Sequence, residues 1–350
     1  MNTLDDPELI PIKRALVTGG AGFLGAAIVR QLLKAGTEVT VVSRSATQAN
    51  LDPRVRAVDL DLTNAPRIGE VLRGMDAVFH VAAKAGVWGP KADYHAANAN
   101  ATIALLSAAI ESGVPRFIFT GSPSACFDGQ DHRNASNDLP LATEFLCAYP
   151  ESKAIAETAV AKANGERSPD GVPIATTTLR PHLIVGPEDP HILPRLIDRA
   201  RKGRLRIVGN GQNEVSLTDV ENAAHAHLCA AYRLHPSAAC AGKAYFVGQA
   251  QPVLIWNWLT ELFERIDVPA PKRAISTRTA YAIGAVCEFI WKQFSLSGEP
   301  PMTRFVALQL STSHSYDLRP IERDIGYREL ISTAEMTARI ERAFATNPSR

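Results

Sequence analysis

The run Thr18-Gly19-Gly20-Ala21-Gly22-Phe23-Leu24-Gly25 sets three glycines at three-residue spacing between an apolar stretch, residues 14–18, and a stretch of helical periodicity. Few architectures turn a strand into a helix this way. The first glycine suits a tight turn, the second lets a diphosphate approach the backbone, and the third lets the helix pack closely on a sheet. The anion then rests on the unsatisfied N–H groups of the helix N-terminus. A nucleotide-binding turn built from Gly19, Gly22, Phe23, Leu24 and Gly25 is therefore expected. Leu24, Ile28 and Leu32 recur at i, i+4 and i+8, and Gly36 stands where a helix C-cap is expected, just before the next apolar run, 38–42.

Apolar runs at 15–18, 39–42, 55–58, 77–81, 117–120 and 175–179 read as buried strands, with helical patterns between most of them. Parallel neighbours need crossover connections and become buried on both faces, so this order predicts an α/β fold, a doubly wound parallel sheet. With 46% hydrophobic residues in 350, the chain has the material for a large core. Residues 1–185 read as a dinucleotide-binding domain. After Arg180-Pro181 the rhythm breaks at Gly186-Pro187, Leu193-Pro194 and Gly209-Asn210-Gly211. Residues 186–350 read as a smaller, mostly helical substrate-binding part, with segments free to return to the first domain.

Several function classes recede on composition. Thirty-seven basic against 36 acidic residues leave a net charge of +1, which gives no field to draw in nucleic acid. Five cysteines, Cys126, Cys147, Cys229, Cys240 and Cys287, form no C-x-x-C pair, which argues against a disulfide framework or zinc site and suits a reducing cytoplasm. His225 and His227, two residues apart, point to different sides of a helix and do not suggest a metal pair. The acidic start of the chain lacks the basic and apolar regions of a leader, and no run reaches the roughly 18 apolar residues of a membrane span. One stretch stands out: Ile283, Val286, Cys287, Ile290 and Phe294 share a helical face, which suits core, subunit interface, a lid over an apolar substrate or contact with a membrane surface.

The chemistry concentrates at Tyr149-Pro150-Glu151-Ser152-Lys153, where a phenol and an ammonium at i and i+4 share one helix face. A nearby cation favours phenolate and brings a tyrosine, ordinarily near 10, toward a working range for proton exchange. The motif follows the strand 117–120, which ends in Thr120-Gly121-Ser122-Pro123-Ser124. Ligands of open α/β sheets sit beyond the carboxyl ends of strands, so Ser122 or Ser124 is expected in the crevice that holds Tyr149. At the end of the second strand, Ser43-Arg44 carries no carboxylate for a ribose 2′-hydroxyl, and the guanidinium can grip a 2′-phosphate. The cofactor expected is NADP(H).

Taken together, T-G-x-x-G-x-x-G, the loop serine and Y-x-x-x-K resemble the extended short-chain dehydrogenase/reductase superfamily. Asp61-Leu62 is similar to its adenine-contacting pair, the stretch from His80 through Ala82, Ala83 and Lys84 to its fourth-strand end, Asn98 to its structural asparagine, and Leu179-Arg180-Pro181 to its sixth-strand signature. The resemblance implies that Ser122 hydrogen-bonds a carbonyl oxygen, Tyr149 exchanges the proton and Lys153 holds the nicotinamide ribose while depressing the tyrosine. Ala101, where glycine is usual, and Gly121, where a hydroxyl residue is usual, depart from the pattern. The blocks 239–246, 280–288, 298–305 and 323–327 resemble the branch that holds 3β-hydroxysteroid and sterol-4-carboxylate dehydrogenases. Within it, residues 82–88 and these same blocks are most similar to bacterial members that reduce long-chain 2-alkyl-3-oxo acids on a route to olefins. That implies a hydrophobic small-molecule substrate, with the face 283–294 and the loop 126–148 as channel walls and Lys84 or His182 as partner for its carboxylate. A 3β-hydroxyl of a sterol or steroid is the alternative substrate, and a non-catalytic dinucleotide-binding protein is the reading outside enzymology. A homodimer and an assembly with neighbouring pathway enzymes are both compatible with the pattern.

Overall fold

The apolar runs become neighbours in one seven-stranded parallel sheet of a computed structural model that describes residues 9–62 and 65–346. Residues 1–8, read above for a leader, lie outside the described part. The strands are β1 (Arg14–Thr18), β2 (Glu38–Ser43), β3 (Arg56–Asp59), β4 (Ala77–His80), β5 (Arg116–Thr120), β6 (Ala175–Pro181) and β7 (Ala244–Val247), in the order β7-β6-β5-β4-β1-β2-β3. Every residue of β4, β5 and β6 is buried, as a central parallel strand requires. The strand order reverses between β1 and β4, which opens a crevice at their carboxyl ends.

Successive strand residues point to opposite faces and meet different helices. Val17, Val41, Phe79 and Ile118 pack with Ile28 and Leu32 of the helix Phe23–Lys34 and with Ala223 and Ala230 of the helix Val220–Arg233. Leu16, Val42, Val78, Phe117 and Phe119 pack with Leu105 of the helix Ala101–Glu111 and with Ala156 and Val160 of the helix Ala148–Lys162. The sheet is therefore covered on both sides, as the alternation predicts.

Two features go beyond the sequence reading. β7 comes from far down the chain and pairs with β6, burying Tyr245, Phe246 and Val247. Four residues between loops are too short to show a period. A second sheet joins His132–Ala135 with Glu214–Val215, Val253–Leu254 and His314–Tyr316. Around it, the helices Ile192–Arg201, Ile255–Arg265 and Thr333–Thr346 build a separate apolar cluster with Leu193, Ile197, Trp258, Leu262, Met336 and Ile340 at its centre.

The apolar face on the helix Thr277–Gln293 differs from the core reading. Ile283, Val286 and Phe294 are 44%, 58% and 68% exposed, while Ala280 and Gly284 are buried. The small residues set the contact, because a Cβ on Gly284 would lie 2.6 Å from the backbone nitrogen of Arg304. Glu288 then accepts hydrogen bonds from the Arg304 backbone N–H and guanidinium, both at 2.7 Å, which fixes the helix with its larger side chains outward. No helix among the described residues is long and apolar enough to cross a membrane.

Candidate active site

The glycine turn leaves no room for side chains. Gly19 has φ +68°, and a Cβ there would stand 2.9 Å from the Ala82 Cα; one on Gly25 would stand 2.1 Å from the Gly19 carbonyl oxygen. Gly22 caps the helix Phe23–Lys34 with no side-chain hydrogen bond and no acidic residue in the first turn. The first-turn N–H groups and the positive end of the helix dipole are therefore offered to an anion, and this cradle fits the diphosphate of a dinucleotide.

One cleft of about 1610 Å³ runs from this turn across the carboxyl ends of the strands. It exceeds the range of about 300–1,000 Å³ typical of a single small-ligand pocket. Gly19, Gly22, Phe23, Leu24 and Gly25 line it, with Ser43 and Arg44 after β2, Asp61 and Leu62 after β3, Ala82, Ala83 and Lys84 after β4, and Pro181 at the end of β6. Ser122, Ser124, Tyr149 and Lys153 line the same cleft. The residues expected from the sequence to bind the dinucleotide or to react thus all face one space. Arg44 is exposed at its rim.

Buried hydrogen bonds hold the strand ends in place. The Thr18 hydroxyl accepts from the Val81 and Ala82 N–H groups at 3.1 Å and meets His80 Nδ1 at 2.7 Å, while His80 Nε2 meets the Thr102 hydroxyl at 2.7 Å. Burial pushes His80 down to about 3, so its ring is neutral. Asn98 sits in a π-helical stretch, His95–Asn100, of a kind often found at functional sites. Its Oδ1 accepts from the Lys84 N–H at 2.7 Å, and its Nδ2 donates to Ser152 Oγ at 3.0 Å. Ser152 in turn donates to the Tyr149 carbonyl at 2.8 Å. The β4 loop and the tyrosine-bearing helix are thereby tied together.

Ser122 is extended, its hydroxyl lies 2.8 Å from that of Ser124, and it lines the cleft beside Tyr149, whose phenol it acts to lower. Gly121 has a steric reason for departing from the usual hydroxyl residue, since a Cβ there would lie 2.6 Å from Thr178 Cγ2. Lys153 is buried, donates to the Thr120 carbonyl at 2.8 Å and stands 4.8 Å from the centre of the Phe119 ring. His227, across the sheet, bonds the Thr120 hydroxyl at 2.9 Å. Behind the lysine, Glu157 and Arg180 form a buried ion pair.

The protonation pattern differs from expectation. Burial pushes Tyr149 above its ordinary value of 10, opposed by the Ser122 hydroxyl, so without ligand the phenol stays protonated. Burial also brings Lys153 down to about 8, with Glu157 pulling the other way. The ammonium is engaged by the Thr120 carbonyl.

Beyond Tyr149 the cleft turns apolar. Its wall is made by Leu183, Ile184, Ile192, Leu196, Ile255, Trp258, Leu259, Met302, Phe305 and Val306. Neither the face 283–294 nor the loop 126–148 contributes to this lining, which corrects the expected channel walls. Burial holds His182 down at about 4, and its Nδ1 lies 2.7 Å from the Ser216 carbonyl oxygen; it is a neutral structural ring, unsuited to hold a carboxylate. Lys84 is paired with Asp93 at 2.7 Å. The cations on the apolar side are Arg195, paired with Glu299 at 2.8 Å, and Arg199, bonded to the Pro301 carbonyl at 2.9 Å. Sequence reading missed these residues because tertiary contacts alone bring 183–201, 255–259 and 302–306 together. The helical period of 192–201 was the one signal available.

The sequence profile of the 3-beta hydroxysteroid dehydrogenase/isomerase family matches residues 16–277. The chain is 40% identical over 334 residues to a 2-alkyl-3-oxoalkanoate reductase of Stenotrophomonas maltophilia, covering 95% of this chain and 99% of that protein. It is 37% identical over 332 residues to a protein of the same name from Shewanella oneidensis, covering 94% and 86%. A dTDP-glucose 4,6-dehydratase double mutant from Streptomyces venezuelae, solved with NAD, shares the fold with a TM-score of 0.72 and 24% identity, over 95% of this chain and 97% of that one.

Proposed function

The chain belongs to the 3-beta hydroxysteroid dehydrogenase/isomerase family, and on that premise we propose that it reduces the 3-keto group of a long-chain 2-alkyl-3-oxoalkanoic acid to the 2-alkyl-3-hydroxy acid in olefin biosynthesis, using NADPH. It is an oxidoreductase of the dinucleotide-dependent kind. The observation that carries the reading is a protonated phenol that shares with Ser122 and Lys153 a cleft joining a diphosphate cradle to an apolar recess. Similarity to two reductases acting on such acids supports the substrate class.

Gly19, Gly22 and Gly25 would hold the diphosphate of a reduced dinucleotide, which would supply the hydride that the ketone carbon takes up. Ser122 donates a hydrogen bond to the ketone oxygen and fixes its position. Tyr149 passes its proton to that oxygen as the carbonyl π pair moves onto it, and solvent restores the phenol. A tyrosine raised by burial suits this direction, because it starts protonated and the nascent alkoxide is far more basic. Lys153 keeps a positive charge beneath the site at neutral pH. Reduction also removes the ketone through which a β-keto acid loses carbon dioxide.

The preference for NADPH rests on Arg44, exposed beside Ser43 where a 2′-phosphate would lie. Arg44→Ala is expected to weaken NADPH binding at least tenfold while leaving NADH binding unchanged, as titration of tryptophan fluorescence would read. A cytoplasmic enzyme is inferred from its five scattered, unpaired cysteines. The reading as a whole is tested by NADPH consumption with a 2-alkyl-3-keto acid, set against NAD reduction with a 3β-hydroxysteroid. Turnover of the steroid alone would overturn it.

A further inference from the structure

The far end of the cleft is built from residues that also belong to a hydrophobic core. Leu217 and Leu259 are each 1% exposed and Trp258 is 7% exposed, yet all three line the cleft. The space therefore runs inward between the helices Ile192–Arg201, Ile255–Arg265 and Arg304–Gln309 until it meets packed side chains. Leu196 and Val306, both half-buried, line it as well. The Trp258 indole N–H donates to the Thr337 hydroxyl at 3.0 Å, which fixes the ring from behind.

We propose that this recess receives one alkyl tail of the substrate and that Leu217, Trp258 and Leu259 form a stop that limits its length. The inference rests on the reductase reading for the identity of the tail and goes beyond it by naming what measures it. An apolar wall rewards each added methylene, by about fourfold in binding. A core packed to crystal-like density does not yield to further carbons, so the gain ends abruptly where the tail meets the stop. A loose surface groove would instead let affinity level off without a cut-off.

The test is kcat/KM for NADPH-dependent reduction of a series of 2-alkyl-3-keto acids in which each tail is lengthened separately. One tail is expected to show a rise and then a fall of at least tenfold at a defined length. Leu259→Ala should move that limit longer by two or three carbons, and Leu259→Phe should move it shorter, with the NADPH dissociation constant unchanged in both. Where Leu259→Ala fails to fold, Leu217→Val removes a single carbon from the stop and should lengthen the limit by about one carbon at small cost to the core. A cut-off that stays in place in the variants that fold, or no cut-off on either tail, overturns the proposal. If the wild-type protein turns over none of these acids, the reductase reading fails. The recess is then tested by displacement of a fluorescent fatty-acid probe with saturated acids of ten to twenty carbons, where the same variants must shift the optimum.

Discussion

Tyr149 carries a phenol that burial raises while Ser122 lowers it, and the balance leaves a proton ready to give. Tyr149→Phe keeps the ring and removes that proton. A fall in kcat of about 10²–10⁴ is expected, with NADPH binding unchanged; stopped-flow hydride transfer that stays near wild type would exclude the role. Lys153 sets a second limit, because burial brings it down to about 8. Its charge is present below that pH and lost above it, so reduction should decline through about pH 8 to 9 where an ordinary lysine would hold until above 10. A rate that is flat to pH 10 would show that the charge is not used. Both residues were legible in the sequence from their spacing. The direction of the tyrosine shift was not, because desolvation depends on what covers the ring.

At the scale of elements, the helix Ala148–Lys162 presents Tyr149 and Lys153 to the cleft and Glu157 to β6, where it meets Arg180. Both partners of this ion pair are 5% exposed, so removing one strands a buried charge. Glu157→Ala should cost about 3–5 kcal/mol of stability in urea denaturation. It should also shift the alkaline limb of activity to lower pH, since Glu157 is the group that raises Lys153 against burial. Unchanged stability and an unchanged limb would together refute the coupling. The glycine turn and the tyrosine helix announced themselves through local pattern. The outward face of the helix Thr277–Gln293 did not: its apolar period is real, but Gly284 and Ala280 decide which side is buried.

Across the whole molecule, buried neutral imidazoles set the response to acid. Burial holds His80 at about 3, His182 and His227 at about 4, and His314 well below 6.5. Each takes up a proton more readily when unfolded, so its share of stability is complete above about pH 6.5 and is lost as pH falls toward the folded value. At pH 5.5 the loss is about 1 kcal/mol per histidine. Thermal unfolding at pH 5.5 should therefore fall clearly below that at pH 7.5, and coincident midpoints would contradict the burial of these rings. Strand and helix alternation, the three-glycine turn and the Tyr149–Lys153 pair were decided by residues close in sequence, whose spacing alone fixes direction on a helix or strand. The return of β7 to the sheet, the second sheet that unites 132–135 with 314–316, the neutral His182 and the recess under Trp258 were decided only by tertiary packing. In each, the determining contacts join residues tens to hundreds of positions apart, and no local period records which distant surface will exclude the water.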